Sequence, residues 1–181
     1  MNQPPSPVPS EQAPAASPAP GTYRLDPDRS TVRADCKAML GMMTVHGTLR
    51  LLAGEVEVAA DPASSTVRAT IDAASFASGN AARDRDVVSA SLLDAAAHPE
   101  ITFAANQVRG DGSEWVVPGV VTAHGTSVPV EVRLHEARME GGVARFRASA
   151  LLDRTSFGVT KKKGMVGRSV RLAVEAVGVP G

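Results

Sequence analysis

The chain has 181 residues, enough for one domain with its own core plus a tail, so no disulfide or metal staple is required. Lysine plus arginine equals aspartate plus glutamate at 19 each, and this zero net charge disfavours a nucleic-acid partner. The single cysteine excludes an internal disulfide. No run approaches the roughly 18 apolar residues that a membrane-spanning helix requires.

The first 20 residues are expected to form a disordered leader. Residues 2–20 are rich in Pro, Ala and Ser, and they lack the basic start and the apolar stretch of a secretory signal. They also contain too few large apolar side chains to offset the entropy lost on folding. We therefore place the folded domain at residues 21–179, and expect a cytoplasmic protein without stable membrane insertion.

From residue 22 onward, apolar and polar residues alternate with a period of two, which is typical of half-buried antiparallel strands. Between residues 31 and 38, for example, Val32, Ala34 and Cys36 share one face. The same alternation recurs at 44–51, 66–72, 128–135, 144–153 and 170–176. Short turn signals separate these runs, so the sequence predicts a meander of about eight strands. The turns are placed at Gly54, Asp61-Pro62, Asp111-Gly112, His124-Gly125 and Gly141-Gly142.

One segment, residues 81–97, breaks the strand pattern. It is rich in alanine and carries Val87, Val88, Leu92 and Leu93 at helix-like spacing. Asn80 is a suitable N-cap, and Pro99 ends any helix that reaches it. The pattern predicts one or two short helices that lie over an end or a gap of the sheet.

A series of short motifs occurs in a fixed order over residues 22–177. The motifs are Tyr23-Arg24-Leu25-Asp26-Pro27-Asp28-Arg29-Ser30, Gly47, Arg83-Asp84, His98-Pro99-Glu100-Ile101-Thr102-Phe103, Gly119 to Val130 with His124-Gly125-Thr126, Asp153-Arg154-Thr155-Ser156-Phe157-Gly158, and Val166-Gly167-Arg168-Ser169-Val170. This ordered set resembles the YceI-like family of polyisoprenoid-binding proteins. The resemblance implies an all-β fold, an eight-stranded antiparallel lipocalin-like β-barrel with a short helical insertion. It also implies an elongated apolar channel for an isoprenoid, such as a quinone tail or a polyprenyl lipid.

The interior must be built from small aliphatic side chains, because only 3% of the residues are aromatic. Such a wall leaves room for a cavity, although an ordinary filled core has the same composition. The candidate ligand-binding residues share the apolar face of the strands: Val32, Ala34, Cys36, Val45, Leu49, Ile71, Phe103, Val130, Val132, Phe146, Ala148, Leu172 and Val174. Met39 and Met42, with Met43 beside them, are interpreted either as a flexible rim of the channel or as gap-filling core.

The polar candidates give no catalytic set. Residues 83–86 alternate in charge and are interpreted as a salt-bridged helix start rather than an acid–base pair or a site for a polar head group. The four histidines, His46, His98, His124 and His135, lack metal-ligand spacing, so neither a metal nor a cofactor is predicted. The basic group Lys161, Lys162 and Lys163 is interpreted as a solvated loop; alternatively, it steers toward an anionic head group or a membrane surface.

These observations predict a non-enzymatic protein that carries or sequesters an isoprenoid or another long apolar small molecule. Two alternatives stay open: an enzyme acting on a lipid-like substrate in the same cavity, and a filled-barrel module for protein interaction. A homodimer also stays open as an assembly state.

Overall fold

The computed structural model describes residues 16–110 and 114–181. Within these ranges the chain forms ten strands and one α-helix. The helix, α1, spans Ala81–Val88, and short 3-10 turns span Pro27–Arg29, Pro62–Ser64 and Arg154–Phe157. The strands are β1 Gly21–Leu25, β2 Thr31–Ala38, β3 Met43–Val58, β4 Thr66–Ala77, β5 Glu100–Ala105, β6 Arg109–Gly110, β7 Trp115–Ala123, β8 Thr126–Glu140, β9 Val143–Asp153 and β10 Val166–Pro180.

Eight strands close into an antiparallel ring in the order β2-β3-β4-β5-β7-β8-β9-β10, and β10 pairs again with β2. The predicted eight-stranded lipocalin-like barrel is therefore confirmed. The short strand β6 is added beside β7. Strand β1 occupies the same slot as β2, because it pairs with the far ends of β10 and β3. The slot is thus filled by one discontinuous strand that is broken at Pro27–Arg29.

The period-two pattern assigns the faces of the strands as predicted. Val32 stands opposite Leu49 on β3 and Val174 on β10, and all three face the interior. The neighbouring positions Thr31, Arg33 and Thr48 are exposed. Alternation places successive side chains on opposite faces of a strand, so the dry face of each run becomes the inner wall.

Gly54 corrects the prediction of a turn. It lies inside β3, directly opposite Ala69 of β4. A Cβ atom at this position would lie 2.6 Å from Cδ1 of Leu25, so only glycine leaves room for that leucine. The turns at Asp61-Pro62, His124-Gly125 and Gly141-Gly142 form as predicted, whereas Asp111-Gly112 lies outside the described residues.

The helical insertion caps one end of the barrel. The side chain of Asn80 accepts a hydrogen bond from the Arg83 amide at 3.0 Å, which confirms the predicted N-cap. The helix ends at Val88, earlier than residue 97, and hydrogen-bonded turns complete the segment. Leu92 packs against Phe157 at this end of the barrel. We call it the lysine end, because Lys161, Lys162 and Lys163 lie in the adjoining loop.

The opposite end, which we call the tyrosine end, holds Tyr23. The Tyr23 hydroxyl donates to the Ala19 carbonyl at 2.7 Å, and the Met139 amide donates to the Ala16 carbonyl at 2.7 Å. Residues 16–19 thus run along the barrel. Residues 1–15 lie outside the described residues, so the predicted leader and its boundary stay predictions. No helix in the described part of the chain has the length and apolar character that crossing a bilayer requires.

Candidate functional site

A cavity of about 1000 Å³ runs through the barrel. Its volume lies at the upper end of the roughly 300–1000 Å³ that small-molecule sites occupy. The inner wall is overwhelmingly apolar, and polar residues lie mainly towards the two ends. The interior of the barrel is therefore open rather than filled by its own side chains.

All of the predicted wall residues except Met42 line this cavity; their contact with a ligand stays a prediction. The residues brought together are Val32, Ala34, Cys36, Met39, Val45, Leu49, Ile71, Phe103, Val130, Val132, Phe146, Ala148, Leu172 and Val174. Met42 is instead 81% exposed in the loop before β3, and Met43, the first residue of that strand, lines the cavity. The loop follows no strand period, so alternation could not place its side chains.

Several lining residues lay outside the predicted set. Phe76 is an example, because the alternating run ends at residue 72 whereas β4 continues to Ala77. Its ring lies over Gly47, where a Cβ atom would approach to 2.1 Å, and Phe103 lies over Gly119 in the same way at 2.5 Å. Glycine on the inner face therefore makes space for an aromatic ring. Such a glycine–aromatic pair can be recognised in the sequence only after the register of the two strands is known.

The tyrosine end of the cavity is narrowed by aromatic packing. The rings of Tyr23 and Phe146 meet edge to face, with centroids 6.4 Å apart. Tyr23 is buried, and Leu25 and Leu51 complete the cluster around it. Ser17 and Pro18 line the cavity here, so the segment before β1 covers part of this end.

Polar side chains surround the lysine end, and most have structural partners. Lys162 forms an ion pair with Asp86 that ties α1 to the loop between the Arg154–Phe157 turn and β10. Asp84 accepts hydrogen bonds from the amide and hydroxyl groups of Ser78, at 2.9 and 2.6 Å. Asp84 and Asp86, two of the charged residues at the start of the helix, therefore hold the neighbouring segments in place.

Arg154 organises this end from within. Its side chain is buried, with 8% of the residue exposed, and it donates to four backbone carbonyls, those of Val159, Lys161, Val166 and Gly167, at 2.7–3.0 Å. A buried cation needs such partners, because leaving water otherwise costs it several kcal/mol. One side chain thus joins the loop 158–165 to the start of β10.

Asp153 fixes the turn that carries Arg154. Its carboxylate accepts from the amide and hydroxyl of Thr155, at 2.9 and 2.6 Å, and from Nε of Arg168 at 2.6 Å. These hydrogen bonds hold the pKa of Asp153 below its ordinary value, and the bond from the Thr155 hydroxyl contributes most. The carboxylate therefore stays charged at mildly acidic pH. Its hydrogen bonds to the start of the Arg154–Phe157 turn weaken only as the pH falls through that lowered pKa.

The Cys36 thiol lies on the cavity wall beside this loop. It donates to the carbonyls of Lys37 and Gly167 at 3.3 and 3.5 Å. Burial raises the pKa of Cys36, and the nearby charge of Arg154 only partly opposes this effect. The thiol is therefore protonated at neutral pH and poorly nucleophilic.

The histidines separate into different surroundings. His98 and His124 are brought together at the lysine end, with ring centroids 5.2 Å apart, and His124 donates to the Phe157 carbonyl at 3.2 Å. His46 pairs with Asp35, and His135 contacts Ser149. In the described ranges, no group of three or more His, Cys, Asp or Glu side chains could hold a metal ion.

The fold and the site define a class: a closed eight-stranded lipocalin-like barrel around a long apolar cavity with polar residues towards its ends. Residues 23–178 match the model of the YceI-like domain. The chain belongs to the YceI-like family.

Relatives and solved structures agree with this assignment. A UPF0312 protein of an Enterobacter strain is 30% identical over 149 residues, or 77% of this chain and 76% of the relative. A UPF0312 protein of Pseudomonas putida is 29% identical over 87% of this chain and 85% of its own length.

Among solved structures, Burkholderia cenocepacia BcnA superposes with a TM-score of 0.77 at 24% identity, covering 84% of this chain and 98% of BcnA. A domain of Saccharophagus degradans described as polyisoprenoid-binding gives a TM-score of 0.66 at 12% identity, covering 88% and 98%. At these identities the likeness shows a shared fold.

Replacing Arg154 with methionine should lower the free energy of unfolding by about 1–3 kcal/mol, because buried carbonyls lose their donors. Arg168→Met is the matched control. The Arg168 side chain is 74% exposed and, among the described residues, pairs only with Asp153, so its loss should cost about 0.5 kcal/mol or less. Urea unfolding followed by the fluorescence of Trp115 measures both variants. Equal losses would contradict the role assigned to Arg154.

Proposed function

We propose that this protein binds an amphiphilic isoprenoid, a quinone or a polyprenyl lipid, in the barrel cavity and carries or sequesters it without chemical change. The observation that carries the proposal is the apolar cavity of about 1000 Å³ inside a closed barrel. A long, thin cavity with an aliphatic wall suits a flexible hydrocarbon chain, because no polar group along the chain requires a partner. The quinone and polyprenyl classes share this tail.

The affinity would come mainly from burial of the tail. Each buried methylene group contributes about 0.8 kcal/mol before the costs of ordering the ligand. A few isoprene units therefore suffice for tight binding without a dedicated hydrogen bond. Residues of the middle wall, such as Phe103, Val130 and Leu172, would contact the tail.

The polar head group is assigned to the lysine end. The tyrosine end is narrowed by Tyr23 and Phe146, whereas polar side chains that include Lys37 and Arg83 line the cavity at the lysine end. A head group there would keep part of its hydration while the tail points into the barrel. The tail would end near Leu51.

A binding role is favoured over catalysis because three reactive polar groups that face the cavity are held by structural interactions or burial. Arg154 is satisfied by carbonyls, Asp86 is paired with Lys162, and Cys36 is kept protonated by burial. The name of the Saccharophagus domain supports an isoprenoid over other apolar ligands. An enzyme acting on a lipid-like substrate in this cavity is the alternative that the experiment must separate.

Organic extraction of the purified protein followed by mass spectrometry tests the proposal directly. A prenyl lipid in stoichiometric amount, or stoichiometric uptake of added long-chain ubiquinone that is recovered unchanged, is expected. Repeated absence of lipid, together with failure to take up the quinone, would overturn the proposal. Recovery of a chemically altered quinone would favour the enzyme.

A tryptophan on the inner wall should block the channel. In Ala148→Trp the indole would project into the cavity, so binding of long-chain ubiquinone should fall at least about tenfold, the equivalent of losing one or two buried methylene groups. Leu151→Trp is the control on the same strand, because Leu151 is 66% exposed on the outer face. Quinone titration by quenching of fluorescence compares the two. Equal binding would place the ligand elsewhere.

The only cysteine reports occupancy of the cavity. Because Cys36 lies on the wall and its pKa is raised, N-ethylmaleimide should label it slowly at neutral pH, and bound ubiquinone should slow labelling further. A Cys36→Ala, Thr48→Cys variant moves the thiol to the exposed face of β3 and serves as the control. Its labelling should be indifferent to quinone. Protection of both thiols, or of neither at saturating quinone, would contradict binding inside the barrel.

A further inference from the structure

Two loops at the lysine end join into a single projection. The amide of Met39 donates to the Met165 carbonyl at 2.9 Å, and the amide of Leu40 donates to the Gly164 carbonyl at 3.1 Å. Residues 39–42 and 161–165 therefore form one hydrogen-bonded unit, which we call the tip. The tip stands at the lysine end of the cavity, because Met39 and Met165 also line the cavity.

The tip exposes large apolar side chains. Leu40 is 85% exposed, Met42 81% and Met165 66%. Within the described residues, five of the nine exposed large apolar side chains lie in the tip or directly next to it. Scattered exposed apolar residues are normal, but such a concentration at one place marks an interaction surface.

The backbone holds these side chains outward. Met39 and Leu40 have φ values of 51° and 57°, in the left-handed region that L-residues adopt only at a cost. Gly41 follows at 87°. Two consecutive residues in this conformation are held by the hydrogen bonds to the neighbouring loop, so the exposed leucine stands on a fixed frame.

Positive charge is concentrated at the same place. All four lysines of the chain, Lys37 and Lys161–Lys163, lie on or beside the two loops, although the net charge of the protein is zero. Lys162 is paired with Asp86. Within the described ranges, Lys161 and Lys163 have no carboxylate partner. Two uncompensated cations therefore flank the apolar side chains.

This composition fits a lipid surface better than a protein. Protein interfaces are enriched in aromatic residues, methionine and arginine and are depleted of lysine. The tip shares its methionines with such interfaces, but it has three lysines and neither an aromatic residue nor an arginine. Lysines beside protruding aliphatic chains match an anionic bilayer, whose phosphates attract the ammonium groups while the apolar chains enter the interface.

We propose that the tip docks the protein peripherally on an anionic phospholipid membrane. Leu40 and Met42 enter the boundary between head groups and acyl chains, and Lys161 and Lys163 lie at the level of the lipid phosphates. The lysine end of the cavity then faces the bilayer. Docking requires no cargo, so it stands or falls separately from the proposed isoprenoid binding.

Co-sedimentation of the full chain with vesicles tests the proposal. Vesicles of equal parts phosphatidylcholine and phosphatidylglycerol, without any isoprenoid, should bind the protein, and added salt or pure phosphatidylcholine should weaken binding. Removing both lysine charges in K161Q/K163Q should lower the partition coefficient by about fivefold for each lysine. L40S/M42S should lower it by roughly tenfold or more, because both side chains lose their burial in the interface.

Matched controls separate docking from general effects. R24Q/R109Q removes two exposed charges at the tyrosine end, and Leu151→Ser removes an exposed leucine of the barrel wall; both should bind vesicles like the unmodified protein. Absence of binding to anionic vesicles, or equal losses in the tip variants and the controls, would overturn the proposal. So would tip-dependent self-association without vesicle binding, since the tip would then be a protein interface.

Discussion

The interior volume of a closed eight-stranded barrel is the constraint on which this structure depends. Such a ring is just wide enough to be filled by side chains if they are large. Here the inner face carries alanine, valine and glycine at many positions, Ala34, Gly47 and Ala148 among them. Pairing of β2 with β10 fixes the circumference, so small residues leave a void rather than letting the wall collapse. The cavity forms because the ring of strands is closed and the side chains on its inner face are too small to fill it.

The two ends of the barrel provide compact packing that the middle lacks. Tyr23, Leu51 and Ala144 are buried together at one end, and Leu92, Phe157 and Val159 at the other. Each cluster gains free energy from apolar burial without ligand. The packing that stabilises the barrel without ligand is therefore concentrated at its two ends. The wall between them can present its apolar surface to another molecule.

The sequence predicted the faces of the strands far better than the loops. Side chains alternate between the two faces with a period of two, so assigning one residue, such as Val32, to the inner face assigns every other residue of that strand. Gly54 was misassigned because a glycine beneath a packed Leu25 resembles a turn residue when the chain is considered alone. The position of Met42 could not be predicted because loop residues follow no period. The role of Arg154 could not be predicted because its four carbonyl partners lie up to thirteen residues further along the chain. Whether the interior is open likewise depends on closure, which no local pattern encodes.

The buried guanidinium links the cavity wall to the tip. Arg154 donates to the carbonyls of Lys161 and Val166, which bracket the part of the tip that contains Gly164 and Met165. A loop carrying an exposed methionine would gain by folding its apolar side chain onto the barrel, and this internal scaffold opposes that collapse. The same side chain therefore fixes the frame of the lysine end of the cavity and the orientation of the apolar surface beside it.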